Sequence, residues 1–388
     1  MTRPAAIAGV YEYPKRRVDG LSKLQIKAES ATRALEDAGL GWSDVDAIYD
    51  AGEVGSTSGF AVAEYFGISP RVVDTTAVGG SSYQFHAAHA ARDLADGRAR
   101  VALLTYGSLN KSAGPPPRGG AELPSANMEG PYGLSLIGSY ALVAQRHMHE
   151  YGTTQEQLAE IAVTTRAHAV RNPEAVAGLA DIGIRHTGEL TVDDVLGSRM
   201  IADPLHLLDC CIVSDGGGAV VIVAPEVAAD LRKPPVWILG TGEALGYPQS
   251  GRDITTTAAA ISGPEAFGRA GVRPEDVDIA MIYDSFTITV LTLLEDLGFA
   301  KKGEGGSYVA GGRLRFDRPG APALNTDGGG LSSNHPGMRG IFLLIEAVRQ
   351  LRGESTAQVD GARLAVAHGN GGQLGTRHSA ATVILGRD

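Results

Sequence analysis

The chain repeats itself. Ala34-Leu35-Glu36-Asp37-Ala38-Gly39, followed by Asp44-Val45-Asp46 and Tyr49-Asp50, returns as Ala266-Phe267-Gly268-Arg269-Ala270-Gly271, followed by Asp276-Val277-Asp278 and Tyr283-Asp284. The offset is 271 − 39 = 232 through the Asp-Val-Asp, with two more residues before the second Tyr-Asp. One supersecondary unit used twice constrains the fold more tightly than any single motif. In each copy the apolar spacing changes from helical to extended across a glycine, which predicts a helix, a turn and a strand. The copies also begin alike, with Ala6-Ile7-Ala8-Gly9 and Trp237-Ile238-Leu239-Gly240 as short strands closed by glycine.

The second part of each half corresponds as well. Gly79-Gly80-Ser81-Ser82 is expected to open a helix through about Ala95, leading to the strand Val101–Gly107. In the other half, Leu331-Ser332-Ser333-Asn334-His335-Pro336-Gly337 is expected to open a helix through about Leu351, leading to the strand Arg363–Gly369. Serine and proline suit helix starts, where a side-chain oxygen caps free N–H groups and proline loses none. Between the halves, residues 112–201 read as an insertion with a Pro/Gly-rich start and helices over Ser135–Tyr151 and Thr154–Asn172, a plausible lid or substrate subdomain. The expected organisation is a first half over 1–111 and 202–230, the inserted subdomain over 112–201, and a second half over 231–388.

Composition excludes several classes. At 388 residues, with 43% hydrophobic and 20% charged residues, the chain is globular α/β rather than disordered or fibrous. A net charge of -10 and a pI near 5.5 give no attraction for nucleic acid or an anionic membrane surface. The two cysteines, Cys210 and Cys211, are adjacent within Leu207–Val213, which reads as a buried strand, and cannot staple a secreted framework. No apolar run reaches the ~20 residues of a membrane span and no leader pattern opens the chain, so a cytoplasmic location is expected. His86 with His89, and His147 with His149, lack further ligands at metal-site spacing, so no metal is expected.

Thr191-Val192-Asp193-Asp194-Val195-Leu196, Ile201-Ala202-Asp203-Pro204-Leu205, Asp209-Cys210-Cys211 and Ser214-Asp215-Gly216-Gly217, set between duplicated halves, resemble the central signature of sterol-carrier-protein-type members of the thiolase superfamily. The resemblance covers essentially the whole chain and implies an α/β thiolase fold: two duplicated βαβ-rich halves in a layered αβαβα core, with an inserted loop subdomain. Thiolases of this fold use a nucleophilic cysteine at the start of the central first-half helix, an Asn-Glu-Ala-Phe motif, a Gly-His-Pro motif, and a second cysteine before a glycine-rich turn. Here the first falls within Val78–Ser82, at Gly80, and the second at or beside His368-Gly369-Asn370-Gly371-Gly372, so neither thiol is present. The other motifs appear as Tyr283-Asp284-Ser285-Phe286 and Asn334-His335-Pro336.

Acyl transfer in such a scaffold needs a thiolate to hold the acyl group and a second thiol to move the α-proton. Without them, the remaining equipment suits an enolate. His335, read at a helix N-terminus, is a candidate donor to the thioester oxygen. Tyr283 would stand where the family holds a water and serve as donor or proton carrier, with Asp284 orienting it; His368 is a second acid/base candidate. Capping and core packing are the alternative roles for His335 and Tyr283. Gly80, Ser81, Ser82, Ser333, Asn334, Gly369, Asn370, Gly371 and Tyr132 are the expected substrate-binding residues, with Gly328–Gly330 also close to the pantetheine arm, while Tyr140 reads as packing.

The expected reaction is retro-aldol cleavage of a 3-hydroxyacyl-CoA. The resemblance to lipid-transfer-protein-type aldolases of steroid side-chain degradation implies a 17-hydroxy steroid acyl-CoA yielding a ketone and propionyl-CoA. Coenzyme A enters as part of the substrate and no cofactor is covalently bound. The same resemblance implies a homodimer with a small zinc-ribbon plus OB-fold protein, or such a domain of a hydratase, attached. Two other readings stay open: a non-catalytic acyl-CoA-binding scaffold of a hydratase complex, and an acyltransferase with Ser81 or Ser82 as nucleophile.

Overall fold

The structure is a computed structural model that describes residues 3–55, 57–114, 135–247, 253–375 and 377–387. The first half contributes β1 (Ala6–Glu12), α1 (Lys23–Ala38), β2 (Ala47–Tyr49), β3 (Val72–Asp74), α2 (Ser82–Ala95) and β4 (Val101–Ser108). Two long helices follow, α3 (Leu136–Tyr151) and α4 (Gln155–Ala169), then a hairpin of β5 (Met200–Ala202) and β6 (Leu205–His206), and β7 (Gly216–Val223). The second half contributes β8 (Val236–Gly246), α5 (Ala259–Ala270), β9 (Ile279–Ile282), α6 (Thr287–Asp296), β10 (Ala323–Leu324), α7 (Gly340–Arg352), β11 (Leu364–Gln373) and β12 (Arg377–Gly386).

The duplication is carried into the sheet. The ten strands run β10-β9-β11-β12-β8-β1-β7-β4-β2-β3. In each half the two outer pairings are parallel and the two inner ones antiparallel. The halves meet where Ala6 and Ile7 of β1 pair with Trp237 and Val236 of β8.

Side-chain alternation assigns the layers. Ile7, Ala102, Leu104, Val220 and Ile222 from one half, and Ile238, Ile279, Met281, Ala365 and Ala367 from the other, bury against α2 and α7 in one central core. The opposite faces pack on α1 in the first half and on α4, α5 and α6 in the second. This is the five-layered αβαβα arrangement implied by the thiolase resemblance.

The repeated glycines explain why each outer helix sits so close. A Cβ on Gly9 would lie 2.0 Å from the Ala34 carbonyl oxygen, and one on Gly240 2.2 Å from that of Ala266. The helices end at Gly39 and Gly271 in the left-handed conformation, with φ of 71° and 65°. Ser135 and Thr154 cap α3 and α4 through their side-chain oxygens, as the sequence suggests.

Two local expectations are corrected. The central helix of the second half starts at Gly340 and not near Ser332; residues 329–332 form a separate short turn of helix. Pro336 and Gly337, the latter at φ 107°, break the chain between them, so the true counterpart of Gly79 is Gly337. The segment around Cys210 and Cys211 is not a buried strand either. Leu207–Asp209 turns as a 3-10 helix, because the Asp209 carboxylate accepts from the His206 N–H at 2.9 Å and from the Thr287 hydroxyl at 2.8 Å. Both cysteines are half-buried. Among the described residues no helix is long and apolar enough to cross a membrane.

Candidate functional site

Tyr283 directly follows β9 and shares the face of Ile279 and Met281, so its ring turns toward the central helices and is 4% exposed. There it lies over Gly80. A Cβ on Gly80 would stand 2.4 Å from Cε2 and Cζ of that ring, a distance side chains do not tolerate. The tyrosine therefore fills the space into which a side chain at position 80 would project.

The Tyr283 hydroxyl lies 3.1 Å from His335 Nε2, with the two rings edge to face at 5.6 Å. It is also 3.3 Å from the Gly337 carbonyl oxygen and accepts the Arg339 N–H at 3.3 Å. His335 belongs to the link between the short 329–332 helix and α7, not to the N-terminus of a long helix. Its main chain is fixed by Ser214: the His335 N–H donates to Ser214 Oγ at 3.0 Å, and the Ser214 N–H returns to the His335 carbonyl at 3.4 Å. Burial, with the Arg339 guanidinium nearby, pushes the His335 imidazole down to about 4, so it is uncharged at neutral pH. Burial holds the Tyr283 phenol well above its ordinary range, so its proton stays on.

Behind this pair lies a buried ionic network. Asp284 accepts the Gly330 and Leu331 N–H groups at 2.8 and 3.2 Å and faces Arg339 Nε at 3.1 Å. Burial nevertheless pushes its carboxyl up to about 6. Arg339 also donates to both oxygens of Asp327, at 2.8 and 2.6 Å, and to the Asn334 side chain. Asn334 turns away from Tyr283, donating to Glu12, which pairs with Arg16 at 2.6 Å. Ser333 is buried beside it, its carbonyl accepting Arg16 Nε at 2.9 Å.

His368 is not brought to the pair. The Tyr283 N–H donates to its carbonyl at 3.0 Å, yet its side chain leaves the other face of the sheet, where Nδ1 lies 2.8 Å from Thr382 Oγ1 and Thr382 meets Ser262 of α5. Gly369 and Gly371 face the start of α2, where a Cβ would meet Gln84 Oε1 at 2.2 Å and the Val78 carbonyl at 2.1 Å. These glycines let two backbone segments touch. Ser81 is buried with its hydroxyl 2.6 Å from that of Ser379, and Ser82 caps locally on Gly79 and Val78, so both hydroxyls are engaged. The Asn370 side-chain amide donates to Tyr140 Oη at 3.3 Å, and Tyr140 stacks on Phe286 at 4.4 Å. Tyr132 lies outside the described residues.

Cys211 comes closer to this region than its sequence context suggested. Its N–H donates to the Ser285 carbonyl at 2.9 Å, and its sulfur is within electrostatic reach of Tyr283, Tyr140 and Asp284. Burial first, and then the Asp284 carboxylate, raise the thiol far above neutral pH; Cys210 is pushed up to about 12. Neither sulfur is a thiolate, the form that attacks a thioester. Among the described residues no three His, Cys, Asp or Glu side chains converge as a metal site. Sequence reasoning missed Arg339, Ser214 and Tyr106, whose contacts with Tyr283, His335 and Pro336 join residues far apart along the chain.

Residues 246–387 match the thiolase C-terminal domain-like family. A steroid side-chain-cleaving aldolase from Thermomonospora curvata is 35% identical over 373 residues, 91% of this chain and 92% of the relative. A 17-hydroxy-3-oxo-4-pregnene-20-carboxyl-CoA lyase from Mycobacterium tuberculosis is 32% identical, over 92% of this chain and 94% of that one. An acetyl-CoA acetyltransferase from Methanothermobacter thermautotrophicus is 33% identical, over 96% and 98%. Among solved structures, an Ltp2-ChsH2(DUF35) aldolase superposes with a TM-score of 0.87 at 34% identity, covering 99% of this chain and 98% of that one.

Proposed function

This chain belongs to the thiolase superfamily, and we propose that it is a carbon–carbon lyase that cleaves a 3-hydroxyacyl-CoA by a retro-aldol reaction, forming a ketone and a shortened acyl-CoA. The observation that carries the reading is the Tyr283 ring over Gly80 with its hydroxyl on His335: a proton-handling pair stands where an acyl-accepting side chain would project. The acetyltransferase relative favours acyl transfer, but Ser81 and Ser82 are engaged and burial keeps the protons on both thiols, so none of these four groups supports acyl transfer as nucleophile. The relatives that cleave steroid side chains support a 17-hydroxy steroid acyl-CoA as substrate and propionyl-CoA as product.

The proton count closes within the pair. A phenol oxygen has one proton and two lone pairs. In Tyr283 the Arg339 N–H occupies one lone pair, leaving the other for the substrate β-hydroxyl. As that hydroxyl gives its proton to Tyr283 Oη, the phenol proton passes to His335 Nε2. The Cα–Cβ bond breaks, its electrons enter the thioester as an enolate, and the β-oxygen becomes the ketone. The imidazolium formed persists only while the enolate's negative charge stands beside it, since burial otherwise keeps this ring neutral. Its proton then returns through Tyr283 to Cα. Asp284, Arg339 and Ser214 position the pair.

The aldolase structure named for two components supports a partner, read here as a zinc-ribbon plus OB-fold protein or a hydratase domain. The open edge of β3, with Val73 exposed, and the exposed Phe60 and Tyr65 of the preceding helix, Ser58–Phe66, support a homodimer. Incubation with 17-hydroxy-3-oxo-4-pregnene-20-carboxyl-CoA, with and without such a partner, tests the reading. Equimolar propionyl-CoA and 17-ketosteroid support it; intact substrate under both conditions, with the protein folded, overturns it.

A further inference from the structure

We infer that Tyr106, on β4 of the first half, is a positioning residue for the Tyr283–His335 pair. The inference rests on the function proposed above and adds a residue to it. The Tyr106 hydroxyl donates to the Pro336 carbonyl at 2.6 Å and accepts the Met338 N–H at 2.9 Å. It thus clamps both sides of Gly337, whose own carbonyl lies 3.3 Å from the Tyr283 hydroxyl. His335 precedes the clamp by one residue and Arg339, whose N–H holds Tyr283, follows it by one. Every contact that aims the Tyr283 hydroxyl therefore comes from a five-residue turn, anchored at its ends by Ser214 and the Arg339 network and clamped at its middle by one phenol from the opposite half.

That turn cannot hold itself. Gly337 sits at φ 107° and Pro336 offers no N–H, so the segment lacks the ladder of a helix or strand. A side chain at 337 would be strained at this φ and would also displace the Asn110 amide, 2.5 Å from its Cβ.

Tyr106 is itself braced by a buried charged cluster with no part in the proton transfer. Its ring packs edge-on against Tyr83 at 5.4 Å and Phe342 at 6.0 Å. The carbonyl of the preceding Thr105 accepts from Lys27 Nζ at 3.2 Å, and the Tyr83 hydroxyl, which donates to Glu53, lies 3.3 Å from it. Lys27 is fully buried and paired with Asp50 and with Glu53, the latter at 2.6 Å. Charges removed this far from water persist only where their geometry is satisfied on all sides, which makes the cluster a rigid footing for β4. It sits at the residue before Tyr106.

The test is Tyr106→Phe, which keeps the ring and removes the clamp. Displacements of about an ångström at a reacting group cost on the order of 100-fold in rate. The expected result is a kcat lowered roughly 10- to 100-fold, with KM within about twofold. A second reading does not depend on the substrate: the His335 ring, followed by NMR titration of selectively labelled histidine, should titrate higher in the variant because the loosened turn admits water. Tyr83→Phe, which removes a hydroxyl from the cluster beside Thr105 and leaves the Tyr106 clamp intact, should shift the same titration by less. An unchanged kcat, or an unchanged His335 titration in a folded Tyr106→Phe protein, overturns the assignment. Cleavage absent from the wild-type protein, with the titration shift present, would instead remove the proposed reaction and leave the positioning role.

Discussion

The Tyr283 ring and a side chain at position 80 cannot coexist: a Cβ on Gly80 would lie 2.4 Å from two ring carbons. The place where the thiolase resemblance puts a nucleophile is therefore taken up by the ring that the proposed mechanism uses for proton transfer. Gly80→Ala should therefore push the ring off His335, lower cleavage at least 100-fold and destabilise by about 1–3 kcal/mol through overpacking. Pairing it with Tyr283→Ala should recover only part of the stability, since the Asn370 carbonyl stands at the same 2.4 Å. Urea unfolding of the single and double variants measures both effects.

Tyr283→Phe and His335→Ala should each lower kcat/KM for a tertiary 3-hydroxyacyl-CoA by about 10²- to 10⁴-fold, the usual range for a positioned proton-transfer group. Circular dichroism should remain that of the wild type. Rates close to wild type in both variants would remove the pair from the mechanism.

The duplicated strands and outer helices were legible because they follow local periodicity and carry glycine at the same register, as Gly9 and Gly240 do. The pairing of Tyr283 with His335 was legible only through motifs. Other features were not readable at all. Tyr106 and Pro336 are 230 residues apart in sequence, and no spacing rule connects them. The face of His368 depends on where β11 begins, because a shift of one residue would reverse it. The start of α7 was misplaced because Ser332 and Ser333 resemble caps, while the glycine that actually breaks the chain, Gly337, comes later.

Replacing Arg339 with methionine should destabilise the fold by about 3–5 kcal/mol, because Asp284 and Asp327 would be left as buried charges without their cation. The midpoint of urea unfolding reports this directly. A loss below 1 kcal/mol would show that the network is not what holds the 335–339 turn.

Mild acid should destabilise the protein through its buried histidines. Burial lowers His86, His168 and His335 to about 4 and His368 to about 3, while in the unfolded chain these groups take up protons near 6.5. The unfolded state thus binds more protons between about pH 6.5 and 4, and stability falls as pH is lowered through that window. Asp284 and Glu346, raised to about 6 and about 7, act in the opposite direction over similar pH. Burial also raises Glu53, Glu174, Asp209 and Asp296, but all four rings are displaced far from their ordinary value while only Asp284 and Glu346 among the raised acids are, so the midpoint of thermal unfolding should drop between pH 7 and pH 4.5. A constant or rising midpoint would contradict the buried, uncharged state of these rings.

Catalysis without a covalent acyl-enzyme is the claim on which the rest depends, and Cys211, near Tyr283, is the group best placed to contradict it. The most direct measurement is turnover of the Cys210→Ser/Cys211→Ser double variant, combined with intact-protein mass spectrometry of the wild type quenched during turnover. Cleavage within about threefold of wild type, and no acyl adduct, is the predicted result. Loss of turnover in the double variant, with an acyl group trapped on Cys211, would contradict the account.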